Sequence, residues 1–177
     1  MAGAMRRGCT PPSAVAPRGP IAVIEVEVFG AELAPGAPSQ ADVERLCTLA
    51  SASVGVHDGH LAIEYVDADR IAALNGEHRG KPEPTDVLSF PIDGLDSIPG
   101  AAGPPGEGAQ ADAGTGTGAS DGGVPRELGD VVICAEHTVD LREAIVHGVL
   151  HLVGMDHETD DGEMLALQAQ LLERAGA

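Results

Sequence analysis

His147-Gly-Val-Leu-His151-Leu-Val-Gly154-Met-Asp156-His157 is the stretch that decides how this chain of 177 residues is read. At 3.6 residues per turn, His147 and His151 stand one above the other on a single helix face, about 40° apart in projection, so two imidazoles can reach one ion. Gly154 follows where a helix C-terminus commonly takes a left-handed residue, and the turn it permits can swing His157 back toward the same point. Three neutral nitrogens with an open fourth position make the ligand set of a catalytic zinc site. Imidazoles favour zinc or another late transition metal over magnesium. Leu141, Ala144, Ile145, Val149, Leu152 and Val153 form a broad apolar stripe beside the histidines and are read as core. Asp156 is either an outer acceptor for a ligand N–H or simply a turn residue.

Outward from this helix the patterning is that of one domain. Ile21 to Phe29 is β-branched, with Ile24, Val26 and Val28 alternating against Glu25 and Glu27, as in a half-buried strand. Ser39 can cap a helix carrying Val43, Leu46, Cys47, Leu49 and Ala50 at helical spacing. A strand is expected from about Leu61 to Val66, preceded by a hairpin-like turn in which His57 and His60 flank Asp58-Gly59 and are exposed. Asp67 then caps a short helix with Ile71 and Leu74, ending near Gly76. Thr85 to Ile92 reads as a strand that Pro91 confines to an edge or an end, and Leu128 to Cys134 reads as a fourth strand. Asp140 opens the histidine helix, which runs to about Val153. A last helix from about Asp161 to Arg174 has Met164, Leu167 and Leu171 on one stripe.

Two segments lack such patterning. Gly, Pro, Ala and Arg dominate residues 1–19, read as a disordered tail, which leaves 20–177 as the domain. Between Gly94 and Pro125, 32 residues hold ten Gly, four Pro and no Lys or Arg, too little apolar surface to offset their ordering entropy. The expectation is a disordered insertion at about 94–125 within one domain. Overall the chain should be α+β, a mixed four-stranded sheet with packed helices and a zincin-like metal helix beside a cleft bordered by Leu128 to Cys134.

Composition narrows the chemistry. Ten Lys and Arg against 28 Asp and Glu give a net charge of −18, which excludes a general nucleic-acid coat needing a broad basic face. Any polyanion must therefore meet a local cationic site. Arg79 and Lys81, the latter the chain's only Lys, are the sole cations between Asn75 and Asp86, and a guanidinium can hold two phosphate oxygens at once. The bland alternatives for Arg79 are a solvated loop residue or a partner of Glu77 or Glu83. With one Tyr, two Phe and no Trp, stacking platforms for single strands are scarce. Three scattered cysteines indicate neither a disulfide framework nor a thiolate metal site, which suits a reducing cytoplasm. No apolar run reaches membrane-spanning length, so no membrane partner is expected.

The histidine spacing matches the H-E-x-x-H-x-x-G-x-x-H pattern of metzincin peptidases except that Gly148 replaces their general-base Glu. Peptide hydrolysis would then need a base from outside the helix. Three blocks together resemble a different family, the YbeY endoribonucleases or ribosomal RNA maturation factors: Leu74 through Arg79 to Thr85 and Pro91, then Leu128 to Ile133, then His147 to His157. The resemblance implies a single-strand-specific, metal-dependent endoribonuclease acting in 16S rRNA 3′-end maturation and ribosome quality control in the cytoplasm. Its substrate would be RNA, the 16S rRNA precursor on the ribosome, and not DNA. It assigns one Zn2+ per chain to His147, His151 and His157, and a catalytic role to Arg79. Two departures stand out: the insertion after Asp93 is longer than the family usually has, and the stretch from Cys134 to His147 is shorter. A metallopeptidase and a non-catalytic ribosome-assembly factor are the alternative readings.

Overall fold

Alternation of Ile24, Val26 and Val28 with Glu25 and Glu27 turns one side of the first strand, β1 (Val23–Phe29), into the core and leaves the glutamates on the other. The computed structural model describes residues 23–92 and 126–176. The expected tail at 1–19 and the expected insertion at about 94–125 lie outside the described residues. After one 3-10 turn (Ala31–Leu33) come α1 (Gln40–Ser53), β2 (Asp58–Val66), α2 (Ala68–Arg79), β3 (Val87–Pro91), β4 (Glu127–Cys134), α3 (Leu141–Leu152) and α4 (Glu163–Gly176). The strand order is β1-β2-β4-β3, with β1, β2 and β4 parallel and β3 antiparallel on the edge. The chain is thus a single α+β domain with a mixed four-stranded sheet, as its patterning indicates.

The caps fall where side chains can accept from the first turn. Ser39 Oγ accepts from the Asp42 amide, Asp67 from Arg70, and Asp140 from Arg142 and Glu143. Helices cover the sheet unequally. On one face α1, α3 and α4 enclose the main core, including Val43, Leu46, Ile63, Val131, Ile145 and Leu171. On the other, α2 alone covers a smaller cluster of Val66, Ile71, Leu88, Val132 and Cys134. Each buried aliphatic side chain contributes about 1.5–3 kcal/mol, so α3, with Ile145, Val146, Val149, Leu150 and Leu152 at 1% exposure or less, is held firmly enough to present polar groups on its remaining side.

The structure corrects three local expectations. The helix α2 does not end near Gly76 but three residues later, at Arg79, and Gly80 after it, with φ of 69°, supplies the left-handed terminus. Arg79 is therefore in the last helical turn and not in a loop. Asp58-Gly59 makes no hairpin. Asp58 and Gly59 pair in parallel with Val23 and Ile24, and this distant partner outweighs the local turn signal. His60 is accordingly not exposed: its side chain is 24% exposed and lies on the acidic face, with Nδ1 2.9 Å from Glu127 and Nε2 3.5 Å from Glu27.

The hydrogen bond to Glu127, with the charges of Glu127, Glu27 and Glu25, raises the pKa of His60 above its usual value. A raised folded pKa contributes stability below the unfolded value of about 6.5, lost as pH climbs through the folded one. Proton NMR titration should accordingly give His60 a midpoint above that of an ordinary imidazole, and Glu127→Gln should lower it. A wild-type midpoint at or below the ordinary value would break the assignment.

At the sheet edge, the Ile92 amide donates to Leu128 O at 3.2 Å, so β3 leaves and β4 enters at one end of the sheet. No helix of the described residues is long and apolar enough to cross a membrane.

Candidate metal centre

The helix α3 ends as its sequence anticipates. Gly154, at φ 93°, donates to His151 O at 3.0 Å, and Met155 donates to Leu150 O at 2.9 Å. These two bonds are the pair of a Schellman terminus, which reverses the chain and carries residue 157 back over the last turn. The ring centroids of His147, His151 and His157 are then 4.7, 5.1 and 5.2 Å apart. One nitrogen from each lies within 4.8 Å of the others, and all three side chains are half-buried. The three sequence-predicted histidines are brought together and could hold a metal ion.

Hydrogen bonding tests whether these rings suit a cation. His147 Nδ1 is 2.9 Å from Gln168 Oε1, and His151 Nδ1 is 2.9 Å from Met155 O. Both partners are acceptors, so each Nδ1 carries the proton and each Nε2 presents a lone pair. Those two Nε2 atoms face each other at 3.2 Å. Two lone pairs so close repel unless something positive lies between them or beside them, which a shared cation does. Burial first, then the neighbouring charges of His147 and His157, lowers the pKa of His151 and favours the neutral imidazole that metals require. The donor set fits a late transition metal.

Asp156 supports the turn and not a ligand. Its carboxylate accepts from the Glu158 amide at 3.0 Å and the Thr159 hydroxyl at 3.2 Å, and these bonds lower its pKa, the backbone one most. The acceptors behind the imidazoles are Gln168 and the Met155 carbonyl. Sequence reading passed over Gln168 by tracing the last helix through Met164, Leu167 and Leu171. The buried positions of α4 are Met164, Gln168, Leu171 and Ala175. One polar residue inside that stripe was the available signal.

Gly148 explains why no carboxylate stands between the first two histidines. An ideal Cβ there would lie 2.3 Å from Val131 Cγ1 and 3.3 Å from Ser89 Oγ, while Ser89 Oγ donates to Gly148 O at 3.1 Å. Position 148 is pressed onto β4 and β3. A peptidase-type base has no room at this position.

Arg79 is exposed and, among the described residues, makes no ion pair with Glu77 or Glu83 and no hydrogen bond to the triad. Its neighbour His78 packs edge-on against Phe90 with centroids 4.8 Å apart, and Asn75 donates to Glu83 O at 2.8 Å, fastening the turn after α2. The last turn of α2 thus rests on β3, the strand whose Ser89 holds α3 on the other face. A separate cavity of about 770 Å³ opens at the far end of α3, lined by Asp42, Arg45, Asp140 and Arg142 among others. Both of its arginines donate to Ala175 O, which ties α1 and α3 to the end of α4.

With this geometry in place, the family match and the curated relatives agree with one another. The family described as Endoribonuclease YbeY matches residues 37–176. The endoribonuclease YbeY of Salinispora tropica is 38% identical, over 76% of this chain and 89% of that protein. That of Bacillus cytotoxicus is 32% identical, over 76% and 85%. The solution structure of TM1509 from Thermotoga maritima covers 85% of this chain and 88% of its own, with 23% identity and a TM-score of 0.43.

Proposed function

Because the chain belongs to the YbeY endoribonuclease family, we propose that it is a metal-dependent endoribonuclease cleaving single-stranded RNA in the cytoplasm. Its substrate on this reading is the 16S rRNA precursor on the ribosome, and its tasks are 3′-end maturation and ribosome quality control. One observation carries the metal-dependent chemistry: three half-buried imidazoles converge with two Nδ1 atoms engaged by acceptors and their Nε2 atoms facing inward.

A zinc ion held by His147, His151 and His157 would supply Lewis acidity toward a phosphoryl oxygen or an attacking water. The remaining work falls to the chain. Buried α3 fixes the two helical ligands, and the turn at Gly154 fixes the third. Arg79, with Lys81 two residues on, offers cationic donors to a phosphodiester that the protein's net charge of −18 otherwise repels. A guanidinium set against two phosphate oxygens stabilises the charge that grows there during cleavage.

The test is RNA cleavage by the purified protein before chelation, after it, and after zinc is restored, with elemental analysis alongside. Cleavage should disappear and return with about one equivalent of metal. Arg79→Ala should keep its metal and cleave at least about tenfold more slowly, the loss of one charge-assisted contact worth roughly 2–4 kcal/mol. Arg79→Lys should recover part of the rate, since an ammonium restores charge but not the planar two-point contact. Cleavage that survives complete metal removal would overturn the metal-dependent reading, and an undiminished Arg79→Ala rate would return Arg79 to the solvated surface.

A further inference from the structure

Gln168 is 6% exposed, one of only three buried polar residues among those described. A buried amide is costly unless both its ends are bonded. Here both are: Oε1 lies 2.9 Å from His147 Nδ1, and Nε2 donates to Glu143 Oε1 at 2.9 Å. Glu143 precedes His147 by four residues on α3, so Glu143, His147 and His151 share one helical stripe, and Gln168 reaches across from α4 to bridge the first two.

An amide alone does not choose a direction. Turned over, it would offer its NH2 to the histidine and require an unprotonated Nδ1. The Glu143 carboxylate removes that freedom because it only accepts. It holds the NH2 end, which leaves the carbonyl oxygen facing His147, and that oxygen can be satisfied only by Nδ1–H. The ring proton is thereby kept on Nδ1 and the lone pair on Nε2, the atom 3.2 Å from His151 Nε2. His151 needs no such device, since the Met155 carbonyl it meets is an acceptor in every orientation.

We infer that Glu143 and Gln168 are positioning residues that set the tautomer of His147 and so tune the affinity of the triad for its metal. The inference rests on the metal-site reading of the three histidines. It makes an exposed carboxylate, two hydrogen bonds away from the ion, a determinant of metal binding.

The experiment measures zinc affinity of the full chain by competition with a chromophoric chelator, with the tautomer of His147 read from ring nitrogen shifts in protein labelled with 15N-histidine. Gln168→Met should bind zinc 10–100-fold more weakly, the usual effect of removing a partner behind a metal-bound imidazole. Glu143→Gln, at an exposed position that leaves packing untouched, should weaken binding by up to about tenfold and populate a second tautomer. The double exchange Glu143→Gln with Gln168→Glu reverses donor and acceptor between the pair yet still presents an acceptor to Nδ1. It should restore affinity to within a few-fold. Wild-type protein that binds zinc while folded Glu143→Gln and Gln168→Met bind it equally well would overturn the inference and leave the metal site standing. Failure of the double exchange to recover affinity would also overturn it. Wild-type protein that takes up no zinc would remove the metal-site reading, and the inference with it.

Discussion

His151→Ala is expected to abolish stable zinc binding and to lower RNA cleavage by about 10³-fold or more while the domain stays folded. His151 faces both other rings of the triad: its Nε2 is 3.2 Å from that of His147, and its ring centroid is 5.2 Å from that of His157. Removing it leaves two nitrogens, one on a helix and one on a turn, with no third to close the site. The Lewis acid is worth several kcal/mol of transition-state stabilisation, and about 4 kcal/mol corresponds to roughly 10³ in rate. The fold should survive because the imidazole is only half-buried, and the aliphatic side of α3, from Ile145 to Leu152, is untouched. His57→Ala is the matched control, an exposed histidine just before β2 with no ring near the triad. Elemental analysis, circular dichroism and a cleavage assay decide the matter. A folded His151→Ala protein that keeps its zinc and its rate would show that the triad is not the working centre.

The triad could be read from sequence because its determinants are local: a spacing of four, a glycine three residues on, and a helix long enough to be certain. What escaped was carried by contacts between distant segments. Glu143 looks like an ordinary acid in a first helical turn, favourable there for reasons of dipole alone, and only the arrival of α4 gives it Gln168 as a partner. Asp58-Gly59 is a turn signal by composition, and nothing nearby announces that β1 will pair with it in parallel. Two glycines four residues apart, Gly76 and Gly80, could each have ended α2. Gly76 stays helical with Pro82 3.3 Å from where its Cβ would be, and Gly80 takes the left-handed turn. The strand order, in which β4 separates β2 from β3, is likewise absent from any local pattern. Gly148 belongs to both categories. The sequence shows that it departs from the peptidase pattern, and the sheet shows why.

Gly148→Glu is therefore expected to prevent formation of the native domain and not to create a peptidase. A first carbon at position 148 already meets Val131 Cγ1 at 2.3 Å, well inside van der Waals contact. Val131 cannot yield easily, being β-branched, fully buried and in a central strand. For Gly148→Ala the helix gains about 1 kcal/mol in propensity, against about 1–3 kcal/mol for overpacking, so a loss of about 1 kcal/mol is the expected balance. Val131→Ala removes the offending methyl, and the double variant should be more stable than the sum of the single effects, a coupling that a double-mutant cycle measures. The glutamate adds a charged group facing apolar side chains, and the combined cost exceeds about 4–5 kcal/mol, comparable with the whole stability of many domains. Either the chain fails to fold or α3 lifts from β3 and β4, carrying His147 and His151 out of register with His157. Thermal melting of Gly148→Glu should show no cooperative transition near that of the parent, and its zinc uptake should collapse with it. A Gly148→Glu protein that melts like the parent and cleaves peptides would show that position 148 opens toward the triad and that the packing against Val131 does not hold the helix there.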